Sequence, residues 1–182
     1  LAGLFRVVQL NQDDAHIFCT REQIKSEIEN ILKFIKIVYK ETFGLEYSFE
    51  LASRPEKFLG EKKDWDFSEK QLEEALKKSK AKYEVKKGEG AFYGPKIDVH
   101  IKDSLGRDWQ CATIQLDMQM PQRFELEYVD KEGKKQMPIV IHRTILGSLE
   151  RFIGVLLEHL NGALPLWLSP IQARVINFTD RN

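Results

Sequence analysis

The stretch Ile97-Asp98-Val99-His100-Ile101-Lys102 alternates apolar and polar side chains, which is the pattern of a half-buried β-strand. A turn at Ser104-Leu105-Gly106 leads back into Trp109 to Leu116, so this region is predicted to form a hairpin. Further strands are predicted at Phe124 to Val129 and at Pro138 to Ile141. Because consecutive hairpins pair neighbouring strands in opposite directions, the sequence predicts an antiparallel sheet.

Three segments are predicted to be helices that flank this sheet. The first begins with a capping box at Thr20 and ends at Gly44, with apolar residues every three or four positions between them. The second is highly charged and runs from Ser68 to about Ser79, and the third contains Phe152 to Leu160 and ends at Gly162.

Three more short strands are predicted at Phe5 to Leu10, Ala15 to Cys19 and Glu46 to Leu51. Strands grouped in one sheet, with helices packed against it, indicate the α+β class. Near the end of the chain, Pro165 to Pro170 is predicted to be a linker, and Ala173 to Phe178 to begin another unit.

Composition limits the functions that the chain could have. Its 182 residues, 42% of them hydrophobic, suffice for one sizeable domain. The 28 Lys and Arg residues balance 28 Asp and Glu residues, so any contact with nucleic acid must come from a local patch. Two cysteines and no apolar stretch long enough for a bilayer suggest a reducing, cytoplasmic location. The start without methionine, on an apolar run, suggests an excised piece.

Two histidines are the candidate metal ligands. His16 lies in an alternating strand and His142 ends another, so both side chains are expected to point into one pocket, as in a zinc site. Zinc sites need at least three protein ligands, so the third ligand is Cys19, Cys111, Asp14 or a residue outside the chain. The alternative is that both are ordinary half-buried histidines. A zinc hydrolase is not supported, because the chain has no His-Glu-x-x-His motif.

Two arginines are the candidate phosphate ligands. Arg151 lies about one helical turn beyond Gly147-Ser148, where its guanidinium could hold a triphosphate or stack on a purine. Arg6 is the second candidate, and for both the alternative is a surface salt bridge. The glycine-rich segment from Gly88 to Lys96 is expected to be a ligand-contacting loop. It matches neither the phosphate-loop motif nor the dinucleotide-binding motif.

Five segments together resemble the class II threonyl-tRNA synthetase core. They occur in that family's order and at about its spacing, and they cover the chain from about Gln12 to Pro170. The five are Gln12-Asp13-Asp14-Ala15-His16-Ile17-Phe18-Cys19, Ser53-Arg54-Pro55-Glu56-Lys57, Gly90-Ala91-Phe92-Tyr93-Gly94-Pro95-Lys96, Gln110-Cys111-Ala112-Thr113-Ile114-Gln115-Leu116-Asp117 and His142 to Arg151. The resemblance implies a partial catalytic core at 1–164, from within motif 2 through motif 3. It further implies a linker and the start of an anticodon-binding domain at 165–182.

The resemblance also implies an activity, the ATP-dependent ligation of L-threonine to its tRNA. His16 and His142 match two of the family's three zinc ligands, and the third, a cysteine, belongs to an upstream segment that this chain lacks. Asp14 and Tyr93 match residues around the amino group of threonine, and Gln115 matches one near its side chain and carboxylate. Zinc binds the amine and the hydroxyl of threonine in this family.

For ATP, Arg6 and Arg151 match the catalytic arginines of motifs 2 and 3 that hold the triphosphate and cover the adenine, with magnesium as the ATP-bound ion. Gln110 and Thr113 match positions near the adenosine. Three further candidates lie in the matched segments, namely Gln12, Lys96 and Ser148. The family implies a homodimeric parent without a membrane segment, and tRNA contacts mostly outside this chain.

The first eleven residues depart from the family. Val8 and Leu10 stand where an arginine and an adenine-stacking aromatic are usual, and the preceding Arg and Glu of motif 2, together with motif 1 and the editing domain, are missing. A second hypothesis is therefore a zinc- or threonine-binding module, or a paralog, without ligase activity.

Overall fold

The computed structural model describes residues 2–179 and contains one six-stranded sheet. The bounds of its strands are β1 Ala15–Cys19, β2 Tyr47–Ala52, β3 Tyr83–Lys86, β4 Lys96–Lys102, β5 Asp108–Asp117 and β8 Ile139–Thr144. They lie in the order β1-β8-β5-β4-β2-β3. All neighbours are antiparallel except β2 and β3, which are parallel. A separate hairpin pairs β6, Tyr128–Val129, with β7, Lys135–Gln136.

Four α-helices accompany the sheet in the described residues. They are α1 Ile24–Lys36, which continues as a π-helical segment at Ile37–Thr42, α2 Lys62–Ser79, the single turn α3 Met120–Arg123 and α4 Leu149–His159. A 3-10 turn follows at Leu166–Leu168. Within residues 2–179, no helix has both the length and the apolar character that crossing a bilayer requires.

The core lies on one face of the sheet, beneath α1 and α2. The apolar residues of β4, Ile97, Val99 and Ile101, are fully buried there together with Ile28 of α1 and Leu72 of α2. Each such side chain contributes roughly 1.5 to 3 kcal/mol when it leaves water. Because strand side chains alternate between faces, the polar residues of β4 must project from the opposite face. That opposite face carries the residues of the candidate site.

The hairpin of β4 and β5, the strand β1 and the final helix are confirmed, whereas one predicted strand is wrong and another is confirmed only at its last two residues. Within Phe5 to Leu10 the described structure has one isolated bridge, from Arg6 to Ala2, because Val8 and Leu10 are exposed and no neighbouring strand pairs with the segment. At Phe124 to Val129 only Tyr128–Val129 is a strand. The turn of α3, which contains Pro121, lies just before this segment. Phe124 is 71% exposed, so the alternation of apolar residues there does not mark a buried face.

One helix boundary and one strand also differ from the prediction. Helix α2 begins at Lys62 rather than Ser68, because the buried Trp65 anchors its first turn through a 2.7 Å hydrogen bond from Nε1 to the Leu59 carbonyl. Strand β3 is absent from the prediction, and α2 is the crossover that makes it parallel to β2. Residues 173–178 form no strand and are exposed, and their assignment to a further unit stays a prediction.

Candidate functional site

The two candidate zinc ligands lie side by side across neighbouring strands. His16 of β1 and His142 of β8 are directly paired in the antiparallel register. Their ring centres are 4.6 Å apart and the rings meet edge to face. Two imidazoles bound to one zinc at about 2.0–2.1 Å with tetrahedral angles have ring centres roughly 5 Å apart. The pair therefore fits two corners of a zinc site.

The described residues do not complete a metal site by themselves. Among residues 2–179, no three His, Cys, Asp or Glu side chains are grouped so as to hold a metal ion. Cys19 lies three residues after His16 in β1, so it projects into the core on the opposite face. Burial raises the pKa of the Cys19 thiol to about 11 and that of the Cys111 thiol to about 12, which disfavours the thiolate that zinc needs. The carboxylate of Asp14 lies beside His16, with 3.9 Å between Asp14 Oδ2 and His16 Nε2.

His142 has a carboxylate partner that was not predicted from the sequence. Its Nε2 lies 2.9 Å from Oδ2 of Asp117, the last residue of β5. Asp117 is fully buried, and its other oxygen accepts hydrogen bonds from the backbone N–H groups of Gln119 and Met120 at 2.8 and 2.9 Å. The signal in the sequence is the alternation of Gln115 and Asp117, which places both side chains on one face of β5. The pairing of Gln115 with His142 in the structure shows that this is the face of His142.

Beside the histidines, a cavity of about 430 Å³ opens on the polar face of the sheet. Its wall includes most of the predicted substrate residues, from strands β5 and β8, the glycine-rich loop and the start of α4. Those that line it are Gln12, Asp14, Tyr93, Gln110, Thr113, Gln115, His142, Ser148 and Arg151. Segments that are far apart in sequence thus meet at one concave surface, as small-molecule sites usually do.

Tyr93 and Gln115 form one wall of this cavity. The Tyr93 hydroxyl donates to Gln115 Oε1 at 2.8 Å, and Gln115 Nε2 donates to the Gly94 carbonyl at 3.2 Å. Burial, followed by the charges of Asp117 and Asp14, raises the pKa of the Tyr93 phenol, so it stays protonated at neutral pH. A Cβ at Gly94 would lie 2.2 Å from the Leu116 carbonyl oxygen, so only glycine lets the loop approach β5 this closely.

A second polar cluster surrounds Asp98 of β4, which is 6% exposed. Its carboxylate accepts hydrogen bonds from Gln110 at 2.6 Å and Thr113 at 3.2 Å, and an ion pair joins it to Lys96 at 2.5 Å. Lys96 is itself only 21% exposed and does not line the cavity. Asp98 was not a predicted site residue, yet it holds Gln110 and Thr113 in place.

The turn before α4 is fixed by Asp13. Its carboxylate accepts hydrogen bonds from the backbone N–H groups of Ile145, Leu146 and Gly147, at 2.8, 3.1 and 3.0 Å. Ser148 then caps α4 by accepting from the Arg151 N–H. Sequence reasoning missed Asp13, although it stands in the Gln-Asp-Asp-Ala-His segment that the family resemblance singles out.

Arg151 projects from the first turn of α4 toward the cavity. Its Nε donates to the Phe5 carbonyl and its Nη1 to the Gln110 carbonyl, both at 3.1 Å, and its guanidinium lies 5.3 Å from the centre of the Trp109 ring. These contacts are with backbone and an aromatic ring rather than with a carboxylate. Within residues 2–179, Arg151 therefore has no salt bridge, contrary to the alternative.

Arg6 is exposed and is not among the residues that line the cavity. Its assignment stays a prediction from the family resemblance. A larger cavity of about 830 Å³ lies between the ends of α1 and α2 and strand β2, with lysines around apolar side chains. None of the predicted site residues lines it. His142 and its polar neighbours line the smaller cavity, and His16 lies beside His142 without lining that cavity.

Residues 1–160 match the model of a family described as the class II core domain of tRNA synthetases for G, H, P, S and T. The chain belongs to this family. It is 53% identical over 180 residues to the threonine–tRNA ligase of Clostridium tetani and 52% identical over 182 residues to that of Caldanaerobacter subterraneus. These alignments cover 99% and 100% of the chain, but the chain spans only 28% of the length of either ligase.

Solved structures of the family share the fold. The RNA binding domain of threonyl-tRNA synthetase from Cryptosporidium parvum matches with a TM-score of 0.88 and 47% identity, over 93% of this chain and 43% of that chain. A putative threonyl-tRNA synthetase from Aeropyrum pernix matches with a TM-score of 0.82 and 34% identity, over 94% and 41%. The α+β class II core fold and the resemblance to threonyl-tRNA synthetases are thus confirmed.

Proposed function

We propose that this chain is part of the catalytic core of a threonine–tRNA ligase. In this proposal the cavity binds L-threonine and ATP. The threonine carboxylate attacks the α-phosphate and displaces pyrophosphate to give threonyl-adenylate, and transfer of threonine to a hydroxyl of the tRNA then releases AMP. A homodimeric, cytoplasmic parent and tRNA contacts mostly beyond this chain belong to the same proposal. The observation that carries it is the direct pairing of His16 with His142 beside a cavity lined by Asp14, Tyr93 and Gln115.

These residues suit an amino acid that carries a hydroxyl. His16 and His142 would hold zinc, which supplies a Lewis acid for the amine and hydroxyl of threonine. Asp14 places a carboxylate where it can accept a hydrogen bond from the amino group, and Tyr93 and Gln115 offer a phenol and an amide to the rest of the substrate. A site that must satisfy a hydroxyl can reject valine by roughly 10⁴-fold, which an apolar pocket cannot do.

The part of the cavity around Arg151 suits ATP. Arg151 presents a guanidinium there, and Gln110 and Thr113 lie beside it on β5. With magnesium on the phosphates, these residues would orient the nucleotide and offset its charge, which is the main contribution of proteins to phosphoryl chemistry. Arg6 would contribute only if its exposed side chain turns toward bound ATP.

A second candidate function is a zinc- or threonine-binding module without ligase activity. The observation in its favour is that Val8 is 86% exposed and Leu10 51% exposed, where the family has an arginine and an adenine-stacking aromatic. Leu10 lines the cavity but offers no ring for adenine. Loss of such stacking costs roughly 1 to 3 kcal/mol, by analogy with other base–aromatic contacts.

Threonine-dependent ATP–pyrophosphate exchange separates the two functions. The test protein is the Clostridium tetani ligase with its 180 matching residues replaced by this chain, and the unaltered ligase is the reference. The proposal predicts exchange with threonine and much weaker exchange with valine. Threonine binding without exchange would favour the binding module, and a folded chimera that binds neither substrate would contradict both functions.

Within that chimera, Asp14→Ala is expected to raise the KM for threonine more than the KM for ATP. Loss of a hydrogen bond to a charged group costs about 1.5 to 3 kcal/mol, which corresponds to roughly a 10- to 150-fold weaker interaction. Glu84→Ala removes an exposed carboxylate at the opposite edge of the sheet and is the matched control, with no effect expected on either KM. Equal losses for threonine and ATP would instead assign Asp14 a structural role.

A further inference from the structure

Asp117 holds one specific nitrogen of His142. The carboxylate is fully buried, and its two oxygens have separate partners. Oδ1 accepts from the backbone N–H groups of Gln119 and Met120, whereas Oδ2 lies 2.9 Å from Nε2 of His142. Because the backbone at the end of β5 fixes Oδ1, the carboxylate has little freedom to turn away from the histidine.

This contact restricts the chemical state of the imidazole. A carboxylate only accepts hydrogen bonds, so the ring nitrogen facing it must carry the proton. In neutral His142 the proton is then on Nε2, and Nδ1 keeps the free lone pair. The rings of His16 and Tyr93 flank His142 edge to face, with centres 4.6 and 5.9 Å away, and limit its rotation.

His16 has no equivalent partner among the described residues. Its nearest carboxylate there is Asp14, with 3.9 Å between Oδ2 and Nε2, which is too long for a hydrogen bond. The His16 side chain is 45% exposed, whereas that of His142 is 25% exposed. Of the two paired histidines, only His142 therefore has its proton position set by a buried group.

We propose that Asp117 is a positioning residue that fixes the tautomer and orientation of His142, so that Nδ1 rather than Nε2 is presented to a metal ion. The inference rests on the proposed function for its metal, but the tautomer itself does not depend on zinc. Metal-binding histidines commonly donate their second nitrogen to a carboxylate, and loss of that partner weakens metal binding by roughly 10- to 100-fold.

Long-range ¹⁵N–¹H NMR of the metal-free chain tests the tautomer without any substitution. The proposal predicts that neutral His142 carries its proton on Nε2. Asp117→Asn is expected to invert this state, because the carboxamide oxygen can still accept from the backbone while the carboxamide N–H faces His142 Nε2 and donates to it. Asp14→Asn is the matched control and should leave the His142 tautomer unchanged. A proton on Nδ1 in the original chain would overturn the proposal.

Zinc affinity, measured with zinc alone by competition against a chelator, completes the test. Asp117→Asn should weaken binding by roughly 10- to 100-fold, as expected for an outer-shell partner, and Asp14→Asn by less. If His142→Ala lowers the zinc affinity but Asp117→Asn does not, the positioning role is wrong while the metal site stands. If His142→Ala has no effect on zinc while the tautomer inverts as predicted, the metal site of the proposed function fails instead.

Discussion

Gly147→Ala is expected to lower the free energy of unfolding by about 3 kcal/mol or more. Gly147 has a φ of +72°, a left-handed conformation that costs an L-residue roughly 1 to 2 kcal/mol. A Cβ there would also lie 2.3 Å from the carbonyl oxygen of Cys111, so the turn must move away from β5. For a chain of this length the loss corresponds to a Tm lower by about 6 to 12 °C, measured by thermal denaturation.

Gly106→Ala provides the matched control for this substitution. Its φ of +78° is as unfavourable for alanine, but an added Cβ would meet no atom within 4 Å. It should cost only roughly 1 to 2 kcal/mol, the conformational part alone. Equal losses for the two variants would show that the approach of Gly147 to β5 is looser than the structure describes. Because Gly147 also donates to Asp13, its variant should displace Ser148 from the cavity wall.

His142→Ala is expected to remove zinc binding and to weaken threonine binding with it. The variant leaves one imidazole of the facing pair, so the zinc affinity should fall by more than the roughly 10- to 100-fold loss that follows from removing an outer-shell partner. Elemental analysis after dialysis against a zinc buffer gives the metal content, and calorimetry gives the threonine affinity. Unchanged zinc content would refute the assignment of His142 as a ligand.

A separate measurement must show that the His142→Ala variant still folds. Without His142, Oδ2 of the buried Asp117 loses its partner, which costs about 1 to 3 kcal/mol. Circular dichroism should therefore show a folded protein of somewhat lower Tm. His159→Ala, at the end of α4, is the control variant, and it should keep both the zinc content and the threonine affinity.

The facing histidines could be predicted because each belongs to a recognisable strand. The alternation around His16 fixes the face of β1, and the family resemblance ties it to His142. Nothing in one sequence gives the pairing of β5 with β8, which brings Asp117 to His142 across 25 positions. The partners Asp13 and Asp98 were missed for the same reason, since each acts on groups of another strand or turn.

An irregularity in strand β5 explains why the sequence did not predict that Gln110 and Thr113 lie on the same face. Gln110 and Thr113 are three residues apart, so in a regular strand their side chains would project from opposite faces. The register between β4 and β5 shifts between Asp98 and His100, and both side chains consequently reach Asp98 on the same face. Such a bulge cannot be predicted from the alternation of apolar and polar residues, because that pattern holds only for a regular strand without a bulge.

Anomalous X-ray diffraction at the zinc absorption edge tests the central claim most directly. Crystals of the chimeric ligase that carries this chain, grown with zinc and threonine, would be measured just above and just below the edge. We predict one strong anomalous peak between the paired rings, about 2.0 to 2.1 Å from a nitrogen of His16 and from Nδ1 of His142. A peak elsewhere on the chain, or none at this pair of histidines, would contradict the account.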